Sequence, residues 1–197
     1  MGITLRQFEQ LQSRAHRSGK SESIAPMVRC EHSVILGVDP SVRGTGYGII
    51  RLEKRQPTVL AHGTVSCPAK WERSRCLAHI ARTVREQIEK FRPTVCIVEG
   101  LFFAQNLQTA IIMGEARGAS LVAAAEAGLE IYEIAPRKVK QAIVGYGAAQ
   151  KLAVAKMVQR LLGLNEPPSA DAADALALAL AYAQTTSRHG LDAPKRV

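Results

Sequence analysis

The sequence predicts an α/β domain: a mixed five-stranded sheet, three antiparallel strands followed by two parallel ones, with helices on both faces. Three observations point there. Three short β-branched, apolar segments follow one another between residues 33 and 66, separated only by Gly, Pro and Ser signals. Beyond them helical and strand patterns alternate. The chain then closes on helical segments alone.

The first strand, SVILGVD, begins at Ser33; GYGIIRLE and TVLAHGTVS follow, and the short spacings make the three antiparallel, hairpin-joined neighbours. WERSRCLAHIARTVREQIEKF places Leu77, Ile80, Ala81, Val84 and Ile88 at helical spacing, and Pro93 supplies the stop. TVCIVEG is a continuous apolar run, the pattern of a strand buried on both faces. AQNLQTAIIMGEARGASLVAAAEAG reads as a long Ala-rich helix closing at Gly128, and LEIYEI as the fifth strand. Two helical segments, PRKVKQAIV and AAQKLAVAKMVQRLLG, precede a break at Pro167 and Pro168, and SADAADALALALAYAQ forms the last helix. Residues 32–185 are thus expected to be the folded domain. Residues 1–31, polar and basic with few apolar anchors, are expected to be a flexible arm, or alternatively to reflect a start upstream of a true one at Met27. Residues 186–197 are expected to be a flexible tail.

With 47% apolar and 22% charged residues, the composition is that of an ordinary globular protein and excludes a disordered or fibrous chain. No uninterrupted apolar run reaches the roughly 18 residues of a membrane span, and the N-terminus lacks the apolar stretch of a secretory signal. Cys30, Cys67, Cys76 and Cys96 form no C-x-x-C pair, and the five histidines form no H-x-x-x-H pair. Any metal must therefore be held mainly by oxygen. The formal charge of +9 favours a polyanionic partner such as nucleic acid or acidic lipid headgroups.

Carboxylates that interrupt apolar sequence carry the functional information, because burying one is costly unless it is paired or bound to a cation. Asp39 ends the first strand and Glu99 the fourth. If those strands are parallel neighbours, both acids lie at the carboxyl edge of the sheet, where α/β folds bind ligands. Asp171 and Asp174, three apart in the last helix, project from one face. Together the four would need a divalent cation to offset their repulsion. Taken singly each has a plainer role: Asp39 before Pro40 as a turn residue, Asp171 in favourable contact with the helix dipole, Asp174 as a solvated surface group.

The strings DPSVRGTGYG, VEGLFFAQN, MGEARG, VKQAIVGYG with AAQK, and above all ADAADALA resemble, in order and spacing from about Val34 to Tyr182, the RuvC family of bacterial Holliday-junction resolvases in the ribonuclease-H-like superfamily. The resemblance implies a ribonuclease-H-like fold and an endonuclease that resolves four-way DNA junctions in recombination and repair by paired symmetric nicks. It implies that Asp39, Glu99, Asp171 and Asp174 bind two Mg²⁺ ions, with Mn²⁺ as a possible substitute, and that phosphodiester hydrolysis leaves a 5′-phosphate and a 3′-hydroxyl. It also implies a cytoplasmic, nucleoid-associated homodimer that works with the RuvA–RuvB branch-migration complex. One departure stands out: the loop after Asp39 usually reads DPGS, and here Ser41 occupies the glycine's place, making the backbone there less permissive.

Charge distribution agrees with a DNA substrate. No acidic residue lies between Glu133 and Glu166, while Arg137, Lys138, Lys140, Lys151, Lys156 and Arg160 are all basic. For Lys156 and Arg160 a solvated helix face is an equal reading. By resemblance, Lys140 and Lys151 lie near the scissile phosphate, with Lys151 among the catalytic set; on charge, Arg43, Arg137 and Lys138 are further DNA-binding candidates. Phe102 matches the family's aromatic at the junction crossover, where it would hold open or stack on bases. Phe103 reads as a core residue. Gly44, Gly46 and Gly48 match neither a dinucleotide fingerprint nor a P-loop. The helix carrying Gly114 and Gly118 is expected at a two-fold interface, with packing inside one subunit as the alternative.

Two other classes compete. A non-catalytic junction-binding module would tolerate substitution of all four acids. An ATP-binding protein of the sugar-kinase and actin type has a similar strand and turn, but needs two lobes and more chain than is present.

Overall fold

A computed structural model describes residues 32–54, 56–100, 107–186 and 194–197. The predicted arm, residues 1–31, therefore lies outside the described residues. The strands are β1 (Val34–Asp39), β2 (Gly44–Arg51), β3 (Thr58–Ser66), β4 (Val95–Glu99), β5 (Glu130–Ile134) and β6 (Lys195–Arg196). The helices are α1 (Arg73–Phe91), α2 (Leu107–Glu126), α3 (Pro136–Val144), α4 (Lys151–Leu162) and α5 (Ala170–Thr186).

The sheet order is β3-β2-β1-β4-β5-β6. β1, β2 and β3 pair antiparallel, and β1, β4 and β5 run parallel, as the pattern of apolar runs predicts. The sixth strand is the departure. Residues 195 and 196, expected to belong to a flexible tail, pair antiparallel with Glu133 and Tyr132 of β5. Lys195 reaches Glu133 at 3.0 Å and Arg196 reaches Glu130 at 3.6 Å, so cross-strand charge holds a segment with no apolar pattern of its own.

Alternation along β1 divides the core in two. Ile35 faces a layer formed with Val139 of α3, Val154 of α4 and Leu176 of α5. Val34, Leu36 and Val38 face the other layer, with Ile80 and Val84 of α1 and Ala116 of α2. α1 presents Cys76, Ile80, Val84 and Ile88 to the sheet and ends at Arg92 in the left-handed conformation, one residue before Pro93.

α5 is buried almost all round, from Ala172 to Tyr182. Its seat is a stripe of glycines: a Cβ at Gly37 would collide with the Ala175 carbonyl, one at Gly46 with the Asp171 carbonyl, and one at Gly48 with the Leu176 side chain at 2.7 Å. In the β1/β2 register Gly37 lies opposite Gly48, and Asp39 opposite Gly46. The bare backbone lets the Ala-rich helix lie directly on the sheet, which carries its two aspartates to the edge where Asp39 stands.

Candidate active site

Parallel pairing of Val38 with Val98 puts the next residues, Asp39 and Glu99, side by side at the carboxyl edge. The two carboxyls lie within hydrogen-bond reach of each other, a contact that holds only while one of them keeps its proton. Burial pushes Asp39 from the usual carboxylate range up to about 6, with the charge of Asp174 adding to the rise and that of Lys151 opposing it. Burial pushes Glu99 up to about 7, reinforced by the charge of Asp39.

The helical acids divide. Asp174 turns into the cleft, where its Oδ2 accepts a 2.8 Å hydrogen bond from Lys151 Nζ at the first turn of α4. That contact raises the Lys151 pKa. Asp171 lies over β2 instead: a Cβ at Gly44 would stand 2.9 Å from its Oδ2. The cleft is lined by Asp39, Glu99, Asp174, Lys140 and Lys151, against an apolar wall of Val139, Val154 and Leu178. Among the described residues no three His, Cys, Asp or Glu side chains meet closely enough to hold one ion between them. The four acids occupy one neighbourhood without the full convergence expected from the sequence. Like charges explain the spacing: Asp39 and Glu99 are reconciled by a shared proton, and Asp174 by an ammonium group. The donor set itself suits hard divalent cations, being all carboxylate oxygen at a place where negative charge is under-compensated.

Of the other candidate residues, Lys140 reaches the cleft. Arg137 packs its side chain against the backbone of Gly147, on the loop between α3 and α4. Lys138 is exposed on α3. Arg43 is tied down elsewhere: its Nη1 donates to the carbonyls of Pro68 (2.7 Å) and Trp71 (3.2 Å) and lies 3.4 Å from Cys76 Sγ. It fastens the β1–β2 loop to the loop before α1. Phe102 and Phe103 lie outside the described residues.

Three features of the site escaped sequence reasoning. One is the Lys151–Asp174 pair, since nothing in the spacing of residues 151 and 174 links them. A second is the glycine stripe under α5, visible as G-x-G-x-G spacing but without a partner until the helix is placed. The third is a clasp in the loop after Asp39, where Thr45 Oγ1 donates to the Ser41 carbonyl at 2.6 Å and the Ser41 N–H donates back at 3.1 Å. Ser41 needs no positive φ there, because among the described residues only Arg92 adopts one without being glycine. The serine departure leaves this loop unstrained.

Acids at the ends of adjacent parallel strands, with a third carried over them by the helix that crosses the sheet, define the metal-dependent nuclease class of the ribonuclease-H-like fold. The chain belongs to the RuvC family of crossover junction endodeoxyribonucleases, whose pattern matches residues 35–182. It is 46% identical over 148 residues to the crossover junction endodeoxyribonuclease RuvC of Akkermansia muciniphila, covering 75% of this chain and 89% of that one. The Vibrio parahaemolyticus RuvC is 45% identical over 153 residues, covering 78% of this chain and 88% of its own. The structure of Thermus thermophilus RuvC in complex with a Holliday-junction substrate superposes with a TM-score of 0.77 at 35% identity, covering 84% of this chain and all of that one. No helix among the described residues is long and apolar enough to cross a membrane.

Proposed function

We propose that this chain is a structure-selective endonuclease that resolves four-way DNA junctions by hydrolysing one phosphodiester in each of two symmetry-related strands. The observation that carries the reading is the adjacency of Asp39 and Glu99 at the sheet edge, facing the Asp174–Lys151 pair in one cleft. Asp39, Glu99, Asp171 and Asp174 are the carboxylates assigned to Mg²⁺, two ions per site, with Mn²⁺ as a substitute. Bound divalent cations supply a lowered pKa for the attacking water and compensation for charge on the leaving 3′ oxygen.

The remaining chemistry belongs to side chains. Asp39, whose charge is felt by all three other acids, would be a ligand of the bound ions together with them. Lys151 and Lys140 present cations to the phosphate, where charge grows in the transition state. Cleavage at the 3′ oxygen leaves a 5′-phosphate and a 3′-hydroxyl.

Two symmetric nicks require two sites related by a two-fold axis, hence a homodimer. An outward stripe on α2 supports this: Leu107, Ile111 and Val122 are exposed, and nothing stands within 4 Å of a Cβ at Gly114 or Gly118. Cooperation with RuvA–RuvB rests on family membership.

The test is a labelled synthetic four-way junction incubated with and without Mg²⁺, beside a linear duplex of the same sequence. Paired, Mg²⁺-dependent nicks in the junction alone are expected. Equal cutting of both substrates sinks the resolvase reading. Binding without cutting would favour a non-catalytic junction-binding module.

A further inference from the structure

The loop between α3 and α4 carries a large aromatic side chain that is left exposed to solvent. Tyr146 is 55% exposed, flanked by Gly145 and Gly147. The loop under it is built. Gly145 caps α3 in the left-handed conformation, its N–H bonded to the Gln141 carbonyl at 2.9 Å. Gly147 lies against the side chain and carbonyl of Arg137, and Ala149 is 1% exposed. Tyr146 is therefore held outward on an anchored turn, a placement that costs little side-chain entropy when the ring is used.

Its surroundings specify what it would meet. Arg137, against which the turn folds, follows Pro136 of the cleft lining, and Lys151, five residues beyond Tyr146, donates to Asp174 inside the cleft. Leu152, next to that lysine, is 66% exposed. No acidic residue interrupts residues 134–165. A protein partner would be expected to answer this much positive charge with carboxylates, whereas a nucleic-acid strand offers phosphates for the lysines and flat apolar faces for the ring. The charge selects the strand.

We propose that Tyr146 is a DNA-binding residue, a stacking platform at the rim of the cleft that packs on a base or sugar of the strand whose phosphate the lysines hold. This rests on the endonuclease reading above, since it takes the same cleft as the place where the strand enters.

The experiment compares the full chain with Tyr146→Ala and Tyr146→Phe, using junction binding in EDTA over a salt series, junction cleavage in Mg²⁺, and thermal melting as a check of folding. Tyr146→Ala should weaken junction binding by about tenfold, the scale of one lost stack. Its slope of log affinity against log salt should stay at the wild-type value, because no phosphate contact is removed. Tyr146→Phe should restore binding, since a stack needs the ring and not the hydroxyl. Unchanged binding by Tyr146→Ala overturns the proposal, as does a Phe variant as weak as Ala, a shallower salt slope, or a loss of affinity matched by a loss of melting temperature. Failure of the wild-type chain to cut the junction would instead count against the endonuclease reading, so the two failures are distinguishable.

Discussion

Asp39 is the residue on which most of the site's electrostatics converge, and replacing it separates chemistry from binding. Asp39→Asn keeps the shape and removes a charge, so cutting of a four-way junction should fall by about a thousandfold or more while junction binding holds or tightens. Loss of binding together with cutting would count against the assignment. The same variant tests the raised pKa values. Asp39 and Glu99 both hold their protons to higher pH in the folded state, at about 6 and about 7 against ordinary values of 3.8 and 4.5. Stability is full below the unfolded values, where both are protonated in either state; it falls as pH rises from about 4 through the folded values of about 6 and about 7, above which both are ionised against burial and each other. In EDTA the wild-type melting temperature should therefore drop between pH 5 and pH 8 by more than that of Asp39→Asn. Parallel melts of the two proteins that track each other across this range would refute the shared proton. Both acids were legible in the sequence, as carboxylates ending apolar runs. Which charge each one faces was not, because Lys151 and Asp174 meet only through the packing of α4 on α5.

At the scale of elements, glycine has opposite meanings in two places. Gly37 lies under α5, and Gly37→Ala drives a methyl into the Ala175 carbonyl, so the helix must lift off the sheet. A cost of about 1–3 kcal/mol or more is expected, along with lost cutting as Asp174 moves away from Asp39. Gly118 sits in α2 with nothing within 4 Å of a Cβ, and Gly118→Ala should instead stabilise the subunit by about 0.5–1 kcal/mol. Urea unfolding of the two variants, at chain concentrations low enough to keep the subunits apart, should give shifts of opposite sign. Equal shifts would mean that α5 does not rest on bare backbone. The helices and strands themselves were readable from periodicity, as in α1, where Ile80, Val84 and Ile88 recur every four residues and are all buried. β6 was not readable. Two basic residues have no strand signature, and their backbone pairing with β5 comes with ion pairs to Glu130 and Glu133 on that edge.

Over the whole molecule, an acidic cleft is lined by two cations, Lys140 and Lys151, within a segment free of acidic residues from 134 to 165, and salt is the probe of it. Junction affinity should fall steeply with salt, and Lys140→Ala should lower the slope of log affinity against log salt by about 1, the signature of one phosphate contact. An unchanged slope in binding titrations would remove Lys140 from the DNA path. Arg43, exposed on the β1–β2 loop, gives its Nη1 to the carbonyls of Pro68 and Trp71. The sequence by itself determined the alternation of layers, the mixed sheet, and the placing of Asp39 and Glu99 at one edge. Those follow from periods of two and about four residues, and from parallel strands ending together. Tertiary structure alone decided that Asp174 pairs with Lys151 while Asp171 lies over Gly44, that the glycines serve α5, and that Tyr146 is left exposed on its turn. Each of these turns on the approach of segments far apart in the chain, a matter of a few ångströms that no local pattern encodes.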